Sequence, residues 1–206
     1  MQARGLFRRP DLSRAGSRQA PWSISSVSDF RLETERLILR DWREGDAEDF
    51  HRLGSDPEVM ATLGPLMSFE ESLALINRLQ ERAASDGHCM WAAERRSDGR
   101  VLGFIGVQRG RIEPIDGELE IGWRLARDCW GQGLATEGAR ATLDWLSRHR
   151  SGEHVVAITA SINDRSRAVM ERLGMTRDCA RDFDHPSVAE GDPLRPHVTY
   201  VKEPPL

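Results

Sequence analysis

The sequence predicts a single α+β domain: a mixed, mostly antiparallel central sheet flanked by about four helices. Three observations carry that prediction. At 206 residues the chain suits one domain with some surplus. Its middle holds successive runs of period-two alternation joined by a hairpin signal, which read as antiparallel strands. Its last third places a helical run between strand-like runs, the pattern of a strand–helix–strand unit. No internal repeat period is present.

The elements follow in order. Residues 1–30 are expected to form a flexible basic leader outside the fold, rich in Arg, Ser, Gly and Pro and without apolar periodicity. They lack the apolar core of a secretory signal, although an Arg-rich, Ser-rich, acid-poor composition is also that of organellar transit peptides. The folded domain is expected over 31–206. The segment LETERLILRDW, with Leu37, Ile38 and Leu39 between charges, reads as the first strand. Asp46 then offers an N-cap to a short helix carrying Phe50 and Leu53 on one face, with Gly54 as its stop. Ser55-Asp56-Pro57 opens a turn running through Met60. Ser68 and Glu71 have capping-box spacing, and behind them Leu73, Ile76, Leu79 and Ala83 recur at helical intervals to about Ala84.

Beyond that helix the period drops to two. Cys89–Glu94 and Val101–Gln108 are strands joined through Ser97-Asp98-Gly99. Glu118–Leu125 is a third, with Leu119, Ile121, Trp123 and Leu125 on one face and Glu118, Glu120, Gly122 and Arg124 on the other. A glycine-rich turn leads into a helix striped by Ala135, Ala139, Leu143 and Leu146. His154–Ser161 reads as a buried strand, and Asp164–Leu173 as a helix ended by Gly174. One or two late strands surround a proline-bearing loop before Val201.

Composition narrows the function. Hydrophobic residues make up 39% of the chain and charged residues 30%, ordinary for a soluble protein. No apolar run approaches the roughly 18 residues of a spanning helix, so no membrane partner is expected. The net charge of −4 divides unevenly: residues 1–30 carry five arginines against Asp11 and Asp29, and the remainder carries 24 basic against 31 acidic side chains. An acidic domain is poorly suited to nucleic acid and better suited to amine-bearing ligands. Cys89, Cys129 and Cys179 are too few and too scattered for a disulfide framework or zinc cluster. An odd count fits a reducing, cytoplasmic compartment. The histidines show no ligand spacing, and no metal is expected.

The informative stretch runs from Leu125 through Cys129-Trp130-Gly131-Gln132-Gly133-Leu134-Ala135-Thr136 to Gly138. A strand end, two glycines and a helix start aim backbone N–H groups and the positive helix end at one point, which suits a phosphate; a tight connection that binds nothing has the same local pattern. Two rival phosphate loops fail. A dinucleotide fingerprint starting at Gly131 requires glycine where Thr136 stands, and a Walker loop requires a lysine where the only lysine of the chain is Lys202.

With these residues the sequence resembles the GNAT superfamily of acyl-coenzyme A N-acyltransferases, and within it the Rim-type acetyltransferases, which include enzymes acting on ribosomal-protein N-termini. The resemblance runs from about Arg31 to Lys202. It rests on LETERLILRDW, on LEIGWRL followed by CWGQGLATEGARATLDW, on INDRSRAVMERLGM, and on FDHPSVAEGDPLRPHVTY. It implies a splayed strand pair and acetyl-CoA as co-substrate, held by Trp130, Gly131, Gln132, Gly133, Leu134, Ala135 and Thr136, with the amides of Gln132 through Thr136 on the pyrophosphate. Trp130 stands where much of the family has Gln or Arg. Backbone groups of Trp123 to Leu125 would pair with the pantetheine arm, Asn163 would bond it, and Ser166 would lie near the thioester sulfur. Where many members carry a tyrosine that protonates the thiolate, this chain has Met170, which has no proton to give.

Acetyl transfer to a primary amine also needs a base. Glu120 is the expected one, with Glu118 as fallback; the ordinary alternative is a strand-face carboxylate paired with Arg124. Two neighbouring carboxylates are expected to raise one pKa. Cys129 has no motif-matched histidine, so a covalent intermediate is not expected. By the resemblance, the acceptor is a small-molecule or peptide amine, its cleft walled by residues 60–67, Trp91 and the final segment with His185, His197 and Tyr200, and the protein is a monomer or homodimer. A non-catalytic acyl-CoA-binding module of the same fold is the alternative.

Overall fold

The computed structural model describes residues 30–206; the leader expected over 1–30 lies outside this range but for Phe30. Nine strands form one sheet: β1 (Arg31–Glu33), β2 (Leu37–Arg40), β3 (Met90–Arg95), β4 (Val101–Arg109), β5 (Leu119–Leu125), β6 (Val155–Ala160), β7 (Thr176–Arg177), β8 (Phe183–Asp184) and β9 (Pro196–Lys202). The helices are α1 (Asp46–Gly54), α2 (Pro57–Met60), α3 (Phe69–Asp86), α4 (Leu134–His149) and α5 (Asp164–Arg172). Strand order is β1-β2-β3-β4-β5-β6-β9-β7, with β8 also on β9. Every pairing is antiparallel except β5 with β6. The mixed, mostly antiparallel sheet with flanking helices is the fold read from the sequence.

Alternation along the strands gives the sheet two apolar faces. Met90 and Ala92 of β3 pack with Phe50 of α1 and with Ile76 and Leu79 of α3. Trp91, Leu119 and Ile121 pack with Ala139, Leu143 and Leu146 of α4. The ring of Phe30 lies flat on Trp91, centroids 3.9 Å apart, so the fold begins to be covered one residue before β1.

Two local expectations change. The segment read as one strand is a hairpin: Thr34 turns the chain, its N–H and hydroxyl both donating to the Leu37 carbonyl, and β1 folds back on β2. Asp46 is not the N-cap of α1. Gly45 occupies that position without a side-chain cap, and the Asp46 carboxylate takes two hydrogen bonds from the Arg40 guanidinium, at 2.7 and 2.9 Å, inside the core. A buried arginine on β2 has a stronger claim on this carboxylate than an exposed helix end. Ser68 and Glu71 do form the capping box of α3.

Candidate active site

The parallel pair β5–β6 shares only two register positions, Leu119 with Val155 and Glu120 with Val156. Both strands continue past them, β5 to Leu125 and β6 to Ala160, and so they splay. Toward β6, the β5 backbone from Ile121 onward has no strand partner, and an unpaired backbone edge is a place for a ligand with amide groups of its own. A cleft of about 890 Å³ opens here and passes through the sheet. One half lies at Trp123, Leu125, Trp130, Gly131, Gly133–Thr136 and Asn163–Ser166. The other lies under α2 and α3, at Glu120, Arg124, Phe104, Gln108 and Arg82.

The loop between β5 and α4 is shaped by its glycines. Gly131 and Gly133 have φ of 73° and 77°, a conformation that costs glycine little and other residues much. Gly133 is the N-cap of α4 and no side chain caps it, which leaves the first-turn N–H groups of Leu134, Ala135 and Thr136 to a ligand. The sixteen residues of α4 add the positive end of a helix dipole at that point. Trp130 fixes the loop: its indole N–H donates to the Leu125 carbonyl at 2.9 Å, and the Arg165 guanidinium stacks 4.4 Å over its ring. From outside, Arg36 donates to the Gln132 carbonyl, and the Gln132 side chain bonds back to Asp128, away from the cleft.

Asn163 caps α5, its Oδ1 accepting from the Ser166 N–H at 3.1 Å. That leaves its Nδ2 donors for a ligand. Ser166 lines the cleft, and Met170, one helical turn on, is buried beside it.

Across β4 and β5 the face toward α3 carries three pairs in register: Gln108 with Glu120, Gly106 with Gly122, and Phe104 with Arg124. Glu120 accepts from Gln108 Nε2 at 2.9 Å, and the Gln108 carbonyl accepts in turn from Arg82. Burial pushes the Glu120 carboxyl above the usual carboxylate range, and the Gln108 hydrogen bond and the Arg82 charge offset this only in part. The cause is therefore desolvation rather than a neighbouring carboxylate. Glu118 is engaged elsewhere: burial works against its charge, but hydrogen bonds from Arg181 and His154 outweigh it and hold its carboxyl below the ordinary range. Nor does Arg124 pair with Glu120.

Cys129 is buried and its thiol is pushed up to about 11, by burial first and by Asp128 second, so it is held as the unreactive thiol. Residues 60–67 reach the cleft through Thr62 and Leu63. Trp91 does not; it is fully buried against Phe30 and Trp145 on the α4 face. His185 and His197 face each other at 4.8 Å, and Tyr200 is buried with its hydroxyl directed to Glu171 at 3.3 Å, none of the three lining the cleft. Arg82, Phe104, Gln108 and Arg165 are lining residues that the sequence reading missed. Strand alternation places Gln108 and Phe104 on this face once their register with β5 is known, and register is not written in one strand alone. Among the described residues no cluster of three or more His, Cys, Asp or Glu is placed to hold a metal ion.

A sheet opened between two parallel strands, with a glycine loop and an uncapped helix end at the opening, suits a ligand that carries both a phosphate and amide groups. The chain belongs to the acetyltransferase (GNAT) domain family, whose pattern matches residues 36–176. It is 34% identical to the uncharacterized protein YkkB of Bacillus subtilis over 146 residues, 70% of this chain and 84% of that one. It superposes on the crystal structure of an acetyltransferase from Agrobacterium tumefaciens with a TM-score of 0.69 at 26% identity, covering 86% of this chain and 96% of the other. The fold is shared too with RimL, a ribosomal L7/L12 alpha-N-protein acetyltransferase solved with coenzyme A, at a TM-score of 0.69 and 19% identity, over 84% of this chain and 98% of that one.

Proposed function

We propose that the protein is an N-acetyltransferase of the Rim-like kind, a cytoplasmic enzyme that moves an acetyl group from acetyl-CoA to a primary amine by direct attack in a ternary complex. The observation that carries this reading is Glu120: a carboxyl raised by burial, on the floor of a cleft that passes through the sheet beside the splayed strands. A base poised toward neutrality can take a proton from an ammonium group that otherwise has no lone pair to attack with. The amine nitrogen then bonds to the thioester carbon and the carbon–sulfur bond breaks. Of the two protons that the nitrogen loses, the first has gone to Glu120, directly or through water, and returns to solvent; the second reaches the departing thiolate, relayed by Ser166 or by water. Negative charge on the carbonyl oxygen would be met by a backbone N–H of the unpaired β5 edge. Acetyl-CoA would lie with its pyrophosphate on the amides of Gln132 to Thr136 and its pantetheine along Trp123–Leu125 and Asn163. Much of the rate would come from holding amine and thioester together.

One observation favours the alternative, a non-catalytic acyl-CoA-binding module: Met170 fills the place of a proton donor and is buried. The variant Glu120→Gln separates the two. Turnover of an amine acceptor is expected to fall about 10²- to 10⁴-fold with acetyl-CoA affinity intact. A fully active variant rejects Glu120 as the base, and acetyl-CoA binding without turnover of any amine supports the module.

A further inference from the structure

Arg124 is the unexplained charge of the acceptor half. It stands on β5 opposite Phe104, its guanidinium carbon 5.4 Å from the Phe104 ring and 6.0 Å from that of Phe50. Among the described residues its buried Nε has no hydrogen-bond partner, and Nη1 meets only the weak acceptor Met67 Sδ, at 3.4 Å. Burial alone lowers its pKa, to about 10, and no carboxylate among the described residues offsets it. The other cation lining this half, Arg82, is engaged with Gln108. A desolvated guanidinium with rings on two sides and no anion is costly to keep, and such a charge is compensated only when an anion arrives.

The floor beside it is equally specific. Between the Glu120 row and the Arg124 row lies the glycine pair Gly106–Gly122, and the room that it leaves is taken by the flexible Met90 side chain, whose Cε would lie 2.9 Å from a Cβ on Gly122. Leu75, Leu79, Val59 and Leu63 provide apolar walls. On one strand face, then, stand a base, an apolar floor of glycines under Met90, and a fork of N–H donors without an anion among the described residues, in that order.

We infer that Arg124 is a specificity-determining residue and that the acceptor is a primary amine bearing a carboxylate, with an apolar body between the two groups. This rests on reading the cleft as an N-acetyltransferase site. A carboxylate fits better than a phosphate monoester because one unpaired cation in apolar surroundings balances one negative charge, whereas a phosphate brings nearly two.

The test compares coenzyme A release with phenylalanine and glycyl-phenylalanine, each against its C-terminal carboxamide, in the wild-type protein and in Arg124→Gln. Acid and amide differ in amine basicity, so the reading is the ratio of the two acid-to-amide kcat/KM ratios, in which that difference cancels. The wild type is expected to favour the acid by roughly tenfold or more relative to Arg124→Gln. Arg124→Lys is expected to keep part of the preference, since it retains the charge and loses the fork. Both variants are checked for folding by the thermal shift that acetyl-CoA produces. A ratio near one overturns the assignment. If no amine in the series is turned over, N-acetylphenylalanine and its amide are titrated into the coenzyme A-loaded proteins. Tighter binding of the acid, lost in Arg124→Gln, supports the assignment, and equal binding overturns it. Should Glu120→Gln remain active while the acid preference persists, the choice of base fails and the role of Arg124 stands.

Discussion

Glu120 lies where reactivity and stability pull in opposite directions. Its carboxyl is raised by burial, so the folded protein holds that proton more tightly than the unfolded chain does. The stability this contributes is complete below the ordinary glutamate pKa of about 4.3 and is lost as pH rises through the elevated value. Glu120→Gln is therefore expected to melt above the wild type at pH 8, with the gap closing as the pH approaches 4; a variant that melts lower at pH 8 contradicts the burial argument. In kcat/KM the wild type should carry an acidic limb at the raised carboxyl pKa. The glutamine variant loses that limb and keeps the one set by the acceptor amine. Arg124 shows what one strand conceals. Its alternation with Glu120 was legible and suggested an ion pair, but the two side chains lie two steps apart on the face with a glycine pair between them.

At the scale of elements, the glycine pair has two separable effects. A Cβ on Gly106 would fall 2.2 Å from the Cys89 carbonyl oxygen, backbone that cannot yield without disturbing β3. Gly106→Ala is expected to destabilise by about 1–3 kcal/mol, lowering Tm by roughly 2–12 °C for a domain of this size. A Cβ on Gly122 would meet only the Met90 Cε, at 2.9 Å, the free end of a flexible side chain. Gly122→Ala should melt much closer to the wild type while losing acceptor turnover, because it displaces the Met90 side chain within the cleft. Melting curves and coenzyme A release on the same samples check both. Elements whose signals are local were readable from the chain: the capping box of α3, the alternation of β5 and the glycine loop before α4. Elements defined by a distant partner were not. Two-residue strands such as β7 and β8 exist only because β9 offers them an edge, and Asp46 left its capping role because Arg40 reached it first.

For the whole molecule, the two halves of the cleft belong to different packing units. The α4 side rests on the larger apolar cluster and the α1–α3 side on the smaller one, with the sheet between them. Acetyl-CoA at about 100 times its dissociation constant adds roughly 2.7 kcal/mol, or several degrees in Tm, while NADH should add nothing. Absence of any shift with acetyl-CoA would remove the coenzyme reading and with it the proposed reaction.

Where β5 and β6 part after Glu120, the protein has left a seam in its own sheet. A seam is a place where local opening costs little, because few hydrogen bonds must break there. A pantetheine arm lying along β5 would act as a temporary tenth strand and close it. The amide hydrogens of Ile121, Trp123 and Leu125, the alternate set that faces the seam, should thus exchange readily in the free protein and slow markedly with acetyl-CoA, while those of Gly122 and Arg124, directed to β4, and of β3, bonded on both sides, change little. On this view the coenzyme is for a moment part of the protein's architecture, and its departure after transfer returns the sheet to its unfinished state.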